Sequence, residues 1–299
     1  LSEYDWYKLL VVTADIKDVF ARQVEEPNQE EKLKKDLYVL EEITDSISSE
    51  VRAQYEESPY PRWINLGLLS KPMSISNLIN QLKLKLHDNK ITKVEKPQIL
   101  IAGCGTGQHS IGTAARFKSS NVLAIDLSLS SLAYAKRKTD ELNIENIEYM
   151  QADILDLKKL NKQFDIIESA GVLHHMDNPM AGWKVLTDCL MPGGLMKIGL
   201  YSKLARKHIV EIRDEISQQE IGSSDVEMRS FRDMLMRSEK DHHKLIIQSL
   251  DFYSLSSLKD LLFHVQEHRF NIPQIKDDLD ELGLMFCGFE KSELVSHFT

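Results

Sequence analysis

Ile99-Leu-Ile-Ala-Gly103-Cys-Gly105-Thr-Gly107 is the most informative segment of this 299-residue chain. Four apolar residues predict a short buried strand, and three glycines follow directly before a segment with helical spacing. Glycine lets the backbone turn tightly and lets a ligand approach the main chain without meeting a Cβ atom. The segment therefore predicts a strand, a tight turn and a helix, with a ligand held against the turn.

Short apolar runs alternate with helical patterns after this segment. Strands are predicted at Val122 to Ile125, Ile147 to Met150, Phe164 to Glu168 and Leu195 to Tyr201. This alternation predicts right-handed βαβ units, and hence a Rossmann-like α/β fold with a mostly parallel sheet and helices on both faces. Farther along, Ile272 to Leu282 predicts a helix, and Leu284 to Phe289 predicts one more strand.

The rest of the chain divides into segments that differ in polarity and in hydrophobic spacing. Residues 1–95 are polar with helical spacing, and we expect an N-terminal helical region in which segment 55–63 covers the ligand. Residues 96–202 and 263–299 carry the α/β pattern, and residues 203–262 are helical and charged without a strand signal. The last segment predicts an insertion above the sheet, where insertions often form lids. A solvated helical pair that only pads the fold is the alternative.

The spacing of the glycines limits the class of ligand that the turn can bind. The dinucleotide fingerprint G-x-G-x-x-G would need glycine at Gln108 or Ser110, and neither position has it. Asp126 ends the second predicted strand, where a carboxylate can accept both hydroxyls of a ribose. Asp153 follows the third strand, where it could accept an adenine amino group. These features favour a nucleoside with a sulfonium cation, which needs no phosphate-binding helix end.

These motifs, with Pro192-Gly-Gly194, resemble those of class I S-adenosylmethionine-dependent methyltransferases. The stretches Tyr55 to Trp63, Gln108-His-Ser110 and His264 to Phe270 resemble a bacterial subgroup that often follows tetratricopeptide repeats. The resemblance implies S-adenosyl-L-methionine as cofactor, S-adenosyl-L-homocysteine as product, and a sheet that ends in a hairpin. We therefore expect a last strand beyond Thr299.

The resemblance also implies which residues bind the cofactor. The glycines would pass under its methionine and ribose parts, and the end of the fourth strand would lie at the methyl-transfer centre. Many members carry an acid two positions before the first glycine, where this chain has Ile101. The expected cofactor-binding residues are Gly103, Cys104, Gly105, Thr106, Gly107, Gln108, His109, Asp126, Leu127, Asp153, Ile154, Glu168, Ser169, Ala170 and Arg62.

Methyl transfer needs no obvious catalytic residue, because positioning alone can supply roughly 7–11 kcal/mol. His174 and His175 follow the fourth strand, so either could act as a base, bind substrate or simply pack. Tyr60 and His268 complete the candidate catalytic set. His264, Glu267 and His268 fit an H-x-x-E-H order if helical, but no third ligand is obvious, and Arg269 would repel a cation. We therefore predict no metal.

Tyr55, Tyr60, Arg62 and Trp63 form an aromatic and basic cluster on a proline-stiffened segment. Aromatic rings favour a sulfonium, and arginine suits a carboxylate, so Tyr60 or Arg62 is expected near the methionine carboxylate. The alternative is a hydrophobic staple that ties the N-terminal region to the sheet.

Composition limits the partners. The net charge of −9 argues against a nucleic-acid binder, whose affinity comes mostly from neutralised phosphates. No apolar run approaches the ~20 residues of a membrane span. Three cysteines without paired spacing favour a reducing, cytoplasmic location. We expect methyl transfer to a small molecule in a lidded pocket. Transfer to a protein side chain, less readily to RNA, and a non-catalytic cofactor-binding scaffold are the alternatives.

Overall fold

One parallel sheet organises the chain. The computed structural model describes residues 4–68, 71–117 and 119–290. The six strands lie in the order β1-β4-β3-β2-β5-β6. They are β1 (Tyr38–Val39), β2 (Gln98–Ala102), β3 (Asn121–Asp126), β4 (Ile147–Gln151), β5 (Phe164–Ala170) and β6 (Leu190–Gly199). Every neighbouring pair is parallel, which confirms the predicted Rossmann-like sheet.

Helices cover both faces of this sheet. Alternate residues of β2 show why, since Ile99 and Ile101 pack into one core while Leu100 and Ala102 pack into the other. A strand that is apolar at every position must be buried on both faces. The helices are α1 (Lys17–Phe20), α2 (Glu26–Asp36), α3 (Ser46–Glu57), α4 (Ile75–Leu82), α5 (Gln108–Arg116), α6 (Leu129–Glu141), α7 (Pro179–Asp188), α8 (Lys207–Gln218), α9 (Asp225–Arg237), α10 (Asp241–Ile246), α11 (Leu255–Leu262) and α12 (Ile272–Leu282).

The predicted N-terminal helical region is present, and it also contains one short strand. Its short strand β1 pairs with β4, where Tyr38 lies opposite Met150, and thereby covers the sheet edge that β4 would otherwise expose. The fully buried Arg137 of α6 forms ion pairs with Glu26 and Glu30 of α2. Strand pairing and buried charge together fix this region against the sheet.

The predicted strand at Leu284 to Phe289 is wrong. Helix α12 forms as expected, but residues 284–289 are irregular. The amide of Lys85 donates to the carbonyl of Cys287 at 2.8 Å, so the segment lies beside the connection after α4 instead of extending a ladder. Residues 291–299 of the predicted domain, and the strand expected beyond Thr299, fall outside the described residues.

Residues 203–262 form a helical insertion with its own apolar core. Ile212 of α8, Leu235 of α9 and Leu258 of α11 are fully buried within it. The helices of this segment, called the lid below, thus share one apolar cluster. Across the described residues, no helix is both long and apolar enough to span a bilayer.

Candidate functional site

A cavity opens at the carboxyl ends of the central strands. Gly103 after β2, Asp126 at the end of β3 and Ala170 at the end of β5 line it. Its volume is about 230 Å³, whereas one water needs only about 10–15 Å³ of comparable space. The cavity is thus large enough for an organic ligand, and it lies where open α/β sheets bind theirs.

The glycine turn forms the floor of the cavity under tight constraints. Gly103, Gly105 and Gly107 all have positive φ, at 77°, 52° and 87°. A Cβ atom on Gly105 would stand 2.8 Å from the carbonyl oxygen of Tyr60. The turn needs glycine because of both its left-handed backbone and the segment packed over it.

Asp126 faces the cavity as a buried carboxylate. Its Oδ2 accepts the amide of Gly105 at 2.8 Å, and its Oδ1 accepts the amide of Ser128 at 3.0 Å. Burial raises its pKa, while these two amides oppose the rise. Each carboxylate oxygen has two lone pairs, so both can still accept a ligand hydroxyl.

The cavity wall suits a nucleoside without phosphates. Asp153 lines it, and its Oδ1 accepts the amide of Leu155 at 2.9 Å. Each carboxylate oxygen has two lone pairs, so Asp153 can also accept a ligand donor. Within the described residues, the lining includes Asp126, Asp153 and Asp260 but neither lysine nor arginine. Such a wall would repel a pyrophosphate, and it offers acceptors to ribose hydroxyls and an adenine amino group. The residues therefore fit S-adenosylmethionine better than a dinucleotide.

Comparison with known sequences decides the family. Residues 99–194 match the methyltransferase domain family, and this range holds the glycine turn, Asp126 and Asp153. The chain carries a class I S-adenosylmethionine-dependent methyltransferase domain. The expected family and cofactor class are thereby confirmed, while the subgroup fused to tetratricopeptide repeats remains a prediction.

Two relatives of this methyltransferase domain match different lengths of the chain. An uncharacterised protein from Synechococcus sp. is 28% identical over 207 residues, which cover 65% of this chain and 48% of that protein. A ubiquinone biosynthesis O-methyltransferase from Coxiella burnetii is 31% identical over 149 residues, which cover 50% of this chain and 60% of the enzyme. The chain thus spans about half of the length of these curated relatives.

A solved structure supports the fold of the methyltransferase domain. PKMT2 from Rickettsia typhi, in complex with AdoHcy, is 20% identical and has a TM-score of 0.55. The match covers 72% of this chain and 44% of that one. At this identity, the likeness concerns the fold alone.

Glu168 lies beneath the cofactor floor and does not line the cavity. It is almost fully buried, directly opposite Ile101 in the pairing of β2 with β5. One oxygen lies 2.5 Å from Nε2 of His109 and accepts the hydroxyl of Thr113 at 2.9 Å. Burial alone would raise its pKa, but the His109 hydrogen bond and charge hold it at about 2. A carboxylate thus lies beside Ile101 on the neighbouring strand, and its partner His109 lines the cavity.

The structure brings most of the predicted cofactor residues to the cavity. Thr106, Gly107, Ser169 and Arg62 are the exceptions, besides Glu168. Thr106 donates its hydroxyl to the carbonyl of Pro61, and its own carbonyl accepts the indole N–H of Trp63 at 3.2 Å. Thr106 thus holds the glycine turn against segment 55–63. The ones that line the cavity are Gly103, Cys104, Gly105, Gln108, His109, Asp126, Leu127, Asp153, Ile154 and Ala170.

The candidate catalytic residues separate into two groups. His175 and Tyr60 line the cavity, whereas His174 and His268 do not. His174 is fully buried and stacks on Tyr201 at 3.7 Å, and burial lowers its pKa to about 2. The expectation that it takes part in proton transfer fails on this geometry, because its ring is sealed from the cavity.

His175 presents a free nitrogen to the cavity. Its Nδ1 donates to the carbonyl of Gln266 at 2.7 Å, which leaves Nε2 as the lone-pair nitrogen. Burial lowers its pKa to about 4, so the ring is neutral at physiological pH. His268 instead places Nε2 3.0 Å from the side-chain amide of Gln266, outside the cavity.

Segment 55–63 and the lid close the cavity from above. The Tyr55 hydroxyl donates to Oδ1 of Asp260 at 2.5 Å, and the Tyr60 hydroxyl donates to Oδ1 of Asp251 at 3.2 Å. Lys259 pairs with Glu57 at 2.5 Å. These three contacts, called the roof below, join two segments about 200 positions apart in sequence.

Segment 55–63 contacts both the cavity and helix α6, and the role of its aromatic cluster toward the cofactor stays a prediction. Trp63 is buried against Tyr134 of α6, while Tyr55 and Tyr60 line the cavity. Arg62 does not line the cavity, contrary to prediction. Burial raises the pKa of Tyr134, and the charge of Arg62 is one of those that oppose this rise.

The predicted helical histidine cluster does not form. Helix α11 ends at Leu262, so His264 and His268 do not share a helical face, and Glu267 pairs with Arg206 at 2.5 Å. His264 instead stacks on His175 at 3.6 Å.

A different group now satisfies metal-ligand spacing. His175, Asp260 and His264 each offer one ligand atom within 4.8 Å of the others. However, Nδ1 of His264 accepts the amide of Gln266 at 3.2 Å, so its Nε2 is the protonated nitrogen of the neutral ring. The charges of Arg206 and Arg213 also lower the pKa of both histidines. This donor set does not suit a cation.

Asp260 is a charged cavity residue that the sequence analysis missed. It lies on the lid, far in sequence from the motifs, and only its place among the leucines of α11 marks it. A carboxylate between Leu258 and Leu261 on an amphipathic helix is unusual, because burial of a charge is costly.

Proposed function

We propose that this protein transfers a methyl group from S-adenosylmethionine to a small molecule in the roofed cavity. The observation that carries the proposal is the cavity itself. It joins the glycine turn, Asp126 and Asp153 to an acceptor end formed by Tyr55, His175 and Asp260. Cofactor and acceptor can thus meet in one cavity, as methyl transfer requires.

The chain's own residues bind and orient the reactants. The cofactor, when bound, supplies an activated methyl group on a sulfonium sulfur. Asp126 would accept its ribose hydroxyls, and Asp153 would accept its adenine amino group. Tyr60 and His175 face the acceptor end, where they would orient the acceptor for in-line attack. Alignment of this kind can supply roughly 7–11 kcal/mol of the barrier.

The roof supports a small acceptor over a protein side chain. Tyr55–Asp260, Tyr60–Asp251 and Lys259–Glu57 join the segments on either side of the cavity. A cover of this kind would limit the access of water, which favours transfer to the bound acceptor. A polymer would need an open groove at this place. The O-methyltransferase from Coxiella burnetii also acts in the biosynthesis of a small molecule, ubiquinone.

Calorimetry with S-adenosylmethionine and NAD, measured side by side, tests the cofactor. We expect binding of the first and none of the second. A labelled-methyl screen of a cell extract, separated by size, then tests the acceptor. Label in the low-molecular-mass fraction supports the proposal. Label only in protein would contradict the small acceptor, and tight NAD binding would contradict the cofactor.

A further inference from the structure

Asp260 is a buried carboxylate at the acceptor end of the cavity. It is only 6% exposed and lines the cavity from helix α11 of the lid. Its Oδ1 accepts the Tyr55 hydroxyl at 2.5 Å, whereas its Oδ2 has no hydrogen-bond partner among the described residues. A carboxylate oxygen has two lone pairs, so Oδ2 can accept a proton or a hydrogen bond from a bound molecule.

The surroundings of Asp260 bring the pKa of its carboxyl closer to neutral pH. Burial raises its pKa to about 6, while the Tyr55 hydrogen bond and the charge of Arg206 oppose the rise. The charges of Asp251 and Glu267 add to it. The titratable and charged groups around it are Tyr55, Tyr60, Asp251, Glu267, Arg206, Arg213, Tyr201, His175 and His264. A general base works best when its pKa lies close to the operating pH.

The other candidate bases fit the role less well. His175 has its pKa lowered to about 4, which makes it a weaker base than Asp260. Burial raises the pKa of the Tyr60 hydroxyl, which already donates to Asp251 and so stays protonated. His109 is 2.5 Å from Glu168, on the floor of the cavity. Of these candidates, Asp260 is the one that lines the cavity, has an oxygen without a hydrogen-bond partner among the described residues, and has a pKa close to neutral pH.

We propose that Asp260 is the general base of methyl transfer and that the acceptor is a hydroxyl or an amine. This inference rests on the proposed function. The acceptor atom forms its bond to the methyl carbon as the bond from that carbon to sulfur breaks. Sulfur keeps the electron pair of the broken bond, and Oδ2 of Asp260 takes the proton that the acceptor loses.

The charge of the cavity supports this acceptor class. Its described lining has three carboxylates and neither lysine nor arginine, so a carboxylate or phosphate acceptor would enter against repulsion. A hydroxyl or amine can instead donate its hydrogen to Asp260. Because Asp260 belongs to the lid, a closed lid completes the catalytic centre.

Sinefungin tests the position of Asp260 without any knowledge of the acceptor. This analogue carries an amine where the cofactor carries its methyl group, so its ammonium would meet a carboxylate at the acceptor end. Calorimetry compares it with S-adenosylhomocysteine, which lacks that amine. At pH 7.5 we expect sinefungin to bind at least about tenfold more tightly, as for a charged hydrogen bond. The advantage should fall as pH drops through about 6 and Asp260 is protonated.

Variants assign the effect to Asp260. Asp260→Asn keeps an oxygen for Tyr55, so we expect unchanged S-adenosylhomocysteine affinity and loss of the sinefungin advantage. Asp233→Asn, exposed on helix α9 of the same lid, should match the wild type. Tyr55→Phe should keep the advantage at pH 7.5 but move its midpoint to higher pH, because the Tyr55 hydrogen bond holds the pKa of Asp260 down.

The outcomes separate this inference from the proposed function. Equal sinefungin advantage in wild type and Asp260→Asn, or none in wild type, overturns the role of Asp260 alone. Failure of wild type to bind S-adenosylhomocysteine overturns the proposed function as well. Labelled product from the screen gives a second test. Label stable in mild alkali supports a hydroxyl or amine acceptor, whereas label released as methanol indicates a methyl ester and overturns the acceptor class.

Discussion

At the scale of single residues, the site depends on a few positions where no other residue type fits. Gly105 has a φ of 52°, and the carbonyl oxygen of Tyr60 lies close to it. Gly112 in helix α5 has no positive φ, and the space where a Cβ atom would stand is open. The two glycines therefore have different roles, although both lie within ten residues of the end of β2.

Substitution by alanine should separate these roles. Gly105→Ala should lower the free energy of unfolding by at least about 1–2 kcal/mol, the cost of a left-handed residue, and should weaken S-adenosylhomocysteine binding. Gly112→Ala should raise the free energy of unfolding by about 0.5–1 kcal/mol and leave binding unchanged. Urea denaturation and calorimetry measure both. Equal effects of the two substitutions would refute the packing described for the turn.

Asp126 provides a second residue-scale prediction. Asp126→Asn keeps the side-chain shape but removes the charge and one acceptor, so affinity for S-adenosylhomocysteine should fall about tenfold to a hundredfold. Asp188→Asn, an exposed carboxylate that pairs with Lys158, serves as the control. Calorimetry of both variants checks this. An unchanged dissociation constant for Asp126→Asn would show that this carboxylate does not bind the ribose.

The sequence predicts individual residues well where a strand end fixes them. Asp126 and Asp153 could be assigned because the carboxyl ends of parallel strands meet at one edge of a sheet. Arg62 was misplaced because a loop residue's direction depends on tertiary packing, and the staple at Trp63 turns it from the cavity. Asp260 could not be found, since its contact with Tyr55 joins positions 205 residues apart.

At the scale of elements, the roof is the least local feature of the molecule. Helix α3 reaches its place because the carboxylate of Glu56 accepts the Leu129 amide at 2.5 Å, where a helix N-terminus favours negative charge. The lid meets α3 from the other side. The sequence pattern could predict both segments but not the contact between them. It also missed β1, because two residues are too few to give a periodic signal.

Loss of one roof hydrogen bond should loosen the closure. Tyr60→Phe removes the donor to Asp251, so we expect faster hydrogen exchange at residues 250–262 and faster dissociation of S-adenosylhomocysteine. Tyr253→Phe loses a hydroxyl that bonds within the lid, to the carbonyl of Ile247 at 3.0 Å, and is the matched control. Exchange mass spectrometry and stopped-flow kinetics measure the two effects. Identical behaviour of the variants would argue against a roof held by Tyr60.

At the scale of the whole molecule, buried neutral histidines link stability to pH. Burial lowers the pKa of His174 and His264 to about 2 and that of His175 to about 4, from the ordinary 6.5. Above pH 6.5 both folded and unfolded states are neutral at these rings. Below it only the unfolded chain takes up protons, so acid favours unfolding.

The free energy of unfolding should therefore fall as pH drops below 6.5. Each histidine contributes up to about 1.4 kcal/mol per pH unit, and Asp260, whose pKa is raised, offsets about one of them between pH 6 and 4. His174→Phe keeps an aromatic ring against Tyr201 and should reduce the slope by one histidine's share. Urea denaturation at several pH values checks this. A flat profile from pH 7 to 5 would show that these rings are accessible to protons.

A crystal structure with S-adenosylhomocysteine tests most directly whether this cavity is the methyltransferase site. We predict that the ribose hydroxyls bond Asp126, the adenine amino group bonds Asp153, and the sulfur lies toward His175 and Asp260. Ligand bound elsewhere, or a cavity that stays empty at saturating ligand while the fold is intact, would contradict the account.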